Sequence, residues 1–206
     1  MQNNLSLIGT RPLNGKMEFL SKKISNLLEE NKNITLFSLN ASLNYYLEYL
    51  LNEITKIDRN ILKQFLNPCS NNKKRNVIFD QKLIDGIKYL LNHDLVINDN
   101  IKDTLIAGID SIIDNIIYFI KNSESQIIII DGIEKIDNDL EEGLIKLKKI
   151  ALEKNINIIL FTNLNKKWEE KQINDISVID KYDLFDKFIN NIWILDGEKL
   201  INLKDK

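Results

Sequence analysis

Residues 10–17 read T-R-P-L-N-G-K-M, between the apolar run 5–8 and a helix-period pattern. The spacing approaches G-x-x-x-x-G-K-[ST], in which backbone amides cradle phosphate oxygens, a lysine meets the β/γ-phosphates and a hydroxyl meets Mg²⁺. Gly15 and Lys16 are in place. Met17 stands at the hydroxyl position, and its thioether is a poor ligand for a hard cation that prefers oxygen. Gly9 comes one residue early, so Thr10 takes the first motif position. The acidic position of such a site is Asp131, which ends the run Q-I-I-I-I-D and reads as a carboxylate that holds Mg²⁺ through water. Its alternative is a strand-end carboxylate capping a turn with Gly132.

Elements that alternate between strand and helix must position these groups. Apolar runs at 5–9, 34–39, 95–97, 126–131 and 156–162 read as strands. Helical stripes fill 16–31, 43–54, 83–91, 104–121 and 140–153. β-branched residues at successive positions of 126–131 imply a strand buried on both faces, as in a central parallel strand. Residues 192–196 and 199–203 flank Gly197 and read as a terminal hairpin. The pattern predicts an α/β fold with a mostly parallel central sheet, helices on both faces and a C-terminal hairpin. Residues 67–76 and 165–181 are polar and poorly periodic and are expected to be loops.

Composition narrows the function. At 206 residues one domain spanning 1–206 is expected. A net charge of −2 supplies no global basic field for nucleic acid, so any DNA contact must come from local clusters. Cys69 is the only cysteine, which excludes an internal disulfide and fits a reducing compartment. No signal pattern opens the chain, and no apolar run approaches the roughly 20 residues of a membrane helix. A soluble cytoplasmic protein, without membrane contact, is expected. The sole histidine, His93, lies at a helix end, where a cation is favourable.

Five segments together resemble the C-terminal RecA-like motor domain, a P-loop NTPase fold, of DnaB-type replicative helicases. L-S-L-I-G-T-R-P-L-N-G-K at 5–16 carries the Arg11-Pro12 pair of that family's phosphate loop. L-F-S-L-N-A-S at 36–42 resembles its second strand and turn, and residues 50–62 the helix that follows. L-V-I-N-D-N at 95–100 resembles its third strand. L-F-T-N-L-N at 160–165 resembles the strand that presents a γ-phosphate-sensing amide. The resemblance implies ATP and Mg²⁺ as cofactors and a nucleotide cleft formed by Arg11, Pro12, Asn14, Gly15, Lys16, Met17 and Asp131. It begins at the motor's first strand, so the family's N-terminal domain and linker helix are expected to be lacking.

The departures from that family are chemical. Its second strand ends in a glutamate that orients or deprotonates the attacking water; Asn40 stands there, and a neutral amide accepts no proton. Asn163 replaces the sensing glutamine with a shorter amide. Lys204 and Lys206 resemble a lysine and an arginine donated to the neighbouring subunit, the arginine becoming a lysine without the planar fork. Glu134 is either a substitute base or a loop or helix-start carboxylate near Asp137 and Asp139, favourable at a helix N-terminus. Lys166, Lys167 and Lys171 surround Trp168 where the family's DNA loops fall, a composition suited to stacking on a base or to a solvated loop. Lys73, Lys74 and Arg75 make a second basic cluster.

These departures lead to the expectation of a degenerate member with a damaged phosphate motif. It would act in DNA replication by binding a helicase subunit, a loader or single-stranded DNA, with weak or no hydrolysis. The alternatives are a divergent active ATP-dependent helicase and a scaffold without nucleotide. Ring ancestry and a monomer or weak dimer are both compatible with the sequence.

Overall fold

In the computed structural model the described residues are 4–11, 15–66, 77–101, 111–136, 140–165 and 176–204, with backbone only for 77–80. Seven strands among them form one sheet in the order β3-β2-β4-β5-β1-β6-β7. These are β1 (Leu5–Thr10), β2 (Ile34–Ser38), β3 (Leu95–Asn98), β4 (Ile127–Asp131), β5 (Asn157–Asn163), β6 (Asn191–Asp196) and β7 (Lys199–Asn202). All neighbours are parallel except β6 and β7, which form the expected hairpin about Gly197. The helices are α1 (Lys16–Glu29), α2 (Leu43–Thr55), α3 (Arg59–Leu66), α4 (Val77–Leu91), α5 (Ile112–Lys121), α6 (Leu140–Lys154) and α7 (Tyr182–Phe188).

The β4 isoleucines divide between two cores, because successive strand side chains point to opposite faces. Ile128 and Ile130 pack with Ile116 and Ile120 of α5 and with Leu144 and Leu147 of α6. Ile127 and Ile129 pack with Leu20 and Ile24 of α1 and with Tyr46 and Leu50 of α2. A smaller cluster of Leu51, Ile57, Leu62 and Leu83 seats α3 and α4 outside α2. Helix ends are satisfied locally. The Ser111 hydroxyl accepts from the Asp114 N–H at 3.1 Å, an N-cap for α5. Lys154 donates to the carbonyls of Ile120, Lys121 and Ser123 at and just beyond the C-terminus of α5, where a cation is favourable.

Three elements depart from the sequence reading. α3 is separate from the helix before it, because Lys56 adopts φ +57° and breaks the chain there. The Arg59 guanidinium then binds Glu48 at 3.0 Å and lies 3.4 Å over the Tyr49 ring, holding α3 against α2. α4 starts at Val77, ahead of the apolar stripe that marks it in the sequence. α7 follows directly on the segment 165–181 that reads as loop, in a stretch where the sequence pattern marks no element. Residues 67–76, 102–110 and 166–175 lie outside the described set, so the loop reading of 67–76 and the first part of the predicted helix 104–121 are not described.

A candidate phosphate cleft at the carboxyl ends of the strands

In an open parallel sheet, ligands bind beyond the carboxyl ends of the strands where the strand order switches direction. Here β1, β5, β4 and β2 end side by side. β1 and β4 are second neighbours, so their ends lie roughly 10 Å apart. The Lys16 side chain bridges that gap. Its ammonium donates to both Asp131 oxygens, at 2.8 and 3.0 Å. Asp131 is 1% exposed. An ion pair at this depth is bound by a charge that water no longer shields.

The start of α1 suits an anion. Gly15 is the N-cap at φ +75°, and no side chain caps the helix. The unfilled amides of a helix N-terminus attract phosphate. Gly15 also passes the β6–β7 turn closely; a Cβ there would sit 3.3 Å from the Gly197 carbonyl. Arg11, expected at the nucleotide, places its guanidinium 3.6 Å from Asp196 on that hairpin. Pro12 and Asn14 lie outside the described residues.

A hydroxyl that sequence reasoning missed completes the cluster. Tyr46 of α2 donates to the second oxygen of Asp131. The residue is 1% exposed, and in the sequence it reads only as part of an apolar stripe. Burial, then the Asp131 charge and the bond to it, pushes the phenol's pKa up, so it remains a donor. The available signal was the residue type: a buried tyrosine needs a partner for its hydroxyl.

Mg²⁺ requires near-octahedral oxygen ligands at about 2.0–2.1 Å. The donors present do not fit it. Asp131 already receives Lys16 and Tyr46. Met17, 6% exposed, packs its thioether into the core with Leu20 and Tyr46. The nearest β2 hydroxyl, Ser38, donates to the Ala41 carbonyl at 2.6 Å and accepts from its N–H at 3.1 Å. Among the described residues no group of three or more His, Cys, Asp or Glu is arranged for a metal.

Beside this trio lies a second cluster. Asn40 and Asn163 each donate a side-chain N–H to Glu134 Oε1, at 3.1 and 2.6 Å. Glu134 Oε2 is buried and has no hydrogen-bond partner among the described residues. Glu134, in the first turn of the 3-10 helix Ile133–Lys135, therefore sits at a helix start and also between the two positions expected to carry the base and sensor; Asp137 and Asp139 lie outside the described residues. Gly132 makes the approach feasible. It has φ +100°, and a Cβ there would lie 2.6 Å from Asn40 Nδ2. Gly132→Ala is expected to lower stability by about 1–3 kcal/mol, through backbone strain and displacement of Asn40. Urea unfolding measures the loss; an unchanged midpoint would contradict this account of the turn.

Lys204 is held by its own chain. Its ammonium bonds the carbonyls of Asp186 and Ile189 and lies 3.2 Å from the Asp186 carboxylate. It follows antiparallel β7, and is therefore at the opposite end of the sheet from Lys16. Lys206, the DNA candidates Lys166, Lys167, Trp168 and Lys171, and the cluster Lys73, Lys74 and Arg75 all lie outside the described residues. No described helix is long and apolar enough to cross a membrane.

The family described as the DnaB-like helicase C terminal domain matches residues 1–178. No curated protein matches the chain. Among solved structures, one described as an ATPase domain superposes with a TM-score of 0.75 at 20% identity, covering 98% of this chain and 77% of that one. "The Structure Of A DnaB-Like Replicative Helicase And Its Interactions With Primase" gives 0.73 at 21% identity, covering 93% of this chain and 46% of that one. At these identities the likeness establishes a shared RecA-like fold.

Proposed function

Because this chain belongs to the DnaB-like helicase C-terminal domain family, we propose that it acts in DNA replication chiefly by binding. Its partner would be a helicase subunit, a loader or single-stranded DNA in the cytoplasm, with weak or no ATP hydrolysis. One observation carries this reading. The Lys16 ammonium spends itself on Asp131, while the residue at the hydroxyl position, Met17, is packed in the core. Loss of a general base costs about 10²–10⁴-fold in rate, and Asn40 at that position is a hydrogen-bond donor to a carboxylate. An arginine finger is worth about 10³–10⁵-fold in related phosphoryl transfer, and the matching residue, Lys206, is a lysine.

Lys166, Lys167, Trp168 and Lys171 remain the proposed contacts for single-stranded DNA. That binding is expected to weaken with salt, as phosphate contacts do. The test of the main reading is phosphate release by the purified chain with Mg²⁺-ATP and single-stranded DNA. The expected result is no release above background. Sustained turnover that Lys16→Ala abolishes, in a variant whose circular dichroism is native at the assay temperature, overturns it.

A second reading, a divergent active helicase, draws on Glu134. Its carboxylate is held by Asn40 and Asn163 where an attacking water would be oriented. Under that reading Glu134→Gln lowers turnover by about 10²–10⁴-fold. Absence of turnover in the unaltered chain rejects it.

A further inference from the structure

We propose that the Tyr46 hydroxyl takes the place of the divalent cation in this cleft, so that any phosphate held there is held without metal. The proposal rests on the cleft being a phosphate site, but it moves the cause of metal loss from Met17 to a residue on another helix.

The geometry argues for replacement. A carboxylate offers about four lone-pair directions on two oxygens. Lys16 contacts both Asp131 oxygens, and Tyr46 donates to one of them from the side of α2. The phenol thus presents the positive end of its O–H dipole to Asp131, as a cation would. Its ring is fixed among Met17, Leu20, Ile24 and Leu50, and at 1% exposure it has no solvent-facing alternative. A metal bound at the Asp131 oxygen and lone-pair direction that Tyr46 occupies would therefore require the phenol to leave a packed core. The Ser38 hydroxyl donates to the Ala41 carbonyl, accepts from the Ala41 N–H and lies beside the Tyr46 hydroxyl.

The same hydroxyl has a consequence for binding. A phosphate can recruit the Lys16 ammonium only by drawing it from Asp131. The carboxylate, buried at 1% exposure, would then lose its countercharge. In a metal-dependent cleft the cation meets that need. Here Tyr46 keeps one oxygen hydrogen-bonded while Lys16 turns, so a charge-assisted bond remains inside the site.

The experiment compares thermal melting of the full chain in ATP with EDTA and in ATP with Mg²⁺, at matched ionic strength, for three proteins. The unaltered chain is expected to show the same rise over an ATP-free control in both arms; no rise in either arm overturns the phosphate reading and the proposal with it. Met17→Thr restores the missing hydroxyl but leaves Tyr46 on Asp131, and is expected to stay indifferent to metal. Met17→Thr with Tyr46→Phe frees Asp131 and is expected to gain a Mg²⁺-dependent rise, reflecting on the order of tenfold tighter binding. A metal response in the unaltered chain or in Met17→Thr alone overturns the proposal, as does a folded double variant that remains indifferent. If the double variant does not fold, the Met17→Thr comparison decides. Metal-independent ATP turnover would sink the weak-hydrolysis reading and leave this proposal standing. Mg²⁺-dependent binding without turnover would do the reverse.

Discussion

Lys16→Met is expected to destabilise the domain by about 3–5 kcal/mol, the usual cost of removing one partner from a buried ion pair. The loss arises in the protein itself, before any nucleotide is added. Asp131 is 1% exposed, and without the ammonium it would keep only the Tyr46 hydroxyl. Lys16 is itself only 17% exposed at its side chain, so water screens the pair little. Replacing both charges should recover part of the loss: Lys16→Met with Asp131→Leu leaves an apolar pair in place of an orphaned carboxylate. The phenol of Tyr46 then lacks its acceptor, and Tyr46→Phe added to that pair should recover more. Urea unfolding of the single, double and triple variants gives the cycle. A Lys16→Met chain within about 1 kcal/mol of the unaltered one would show that the pair is not closed in solution.

The second large effect lies in β4. Ile128→Ala and Ile129→Ala are each expected to cost about 2–5 kcal/mol, from lost burial and the cavity left behind. Both residues are 0% exposed, yet they fill different cores. Ile128 supports α5 and α6. Ile129 supports α1 and α2, the helices that carry Lys16 and Tyr46. Only Ile129→Ala should therefore strongly shift the ring resonances of Tyr46, although both lower the unfolding midpoint. Equal shifts from both variants would mean that the two faces are not mechanically separate.

That two-sided strand was legible before any coordinates. Four isoleucines before an aspartate cannot be half-solvated, and the alternation of strands and helices made the parallel sheet the economical solution. The short helices α3 and α7 escaped because eight and seven residues give barely two turns of periodicity. Polar residues around them masked what remained.

Residue order was enough to place Gly15 and Lys16 at a strand-to-helix junction of an alternating fold, and to show Met17 and Asn40 where the resemblance expects a hydroxyl and a carboxylate. Apolar period and residue type are local properties, readable within a short stretch of chain. Packing in three dimensions was needed to show that Lys16 closes on Asp131, 115 residues away, and that Tyr46 joins them from 85 residues away. The same holds for the convergence of Asn40 and Asn163 on Glu134. Those meetings follow from the order β2-β4-β5-β1, which aligns strand ends that the chain visits far apart. A tyrosine in an apolar stripe reads the same whether its hydroxyl meets water, a carbonyl or the one carboxylate that matters; only the packed helix shows which.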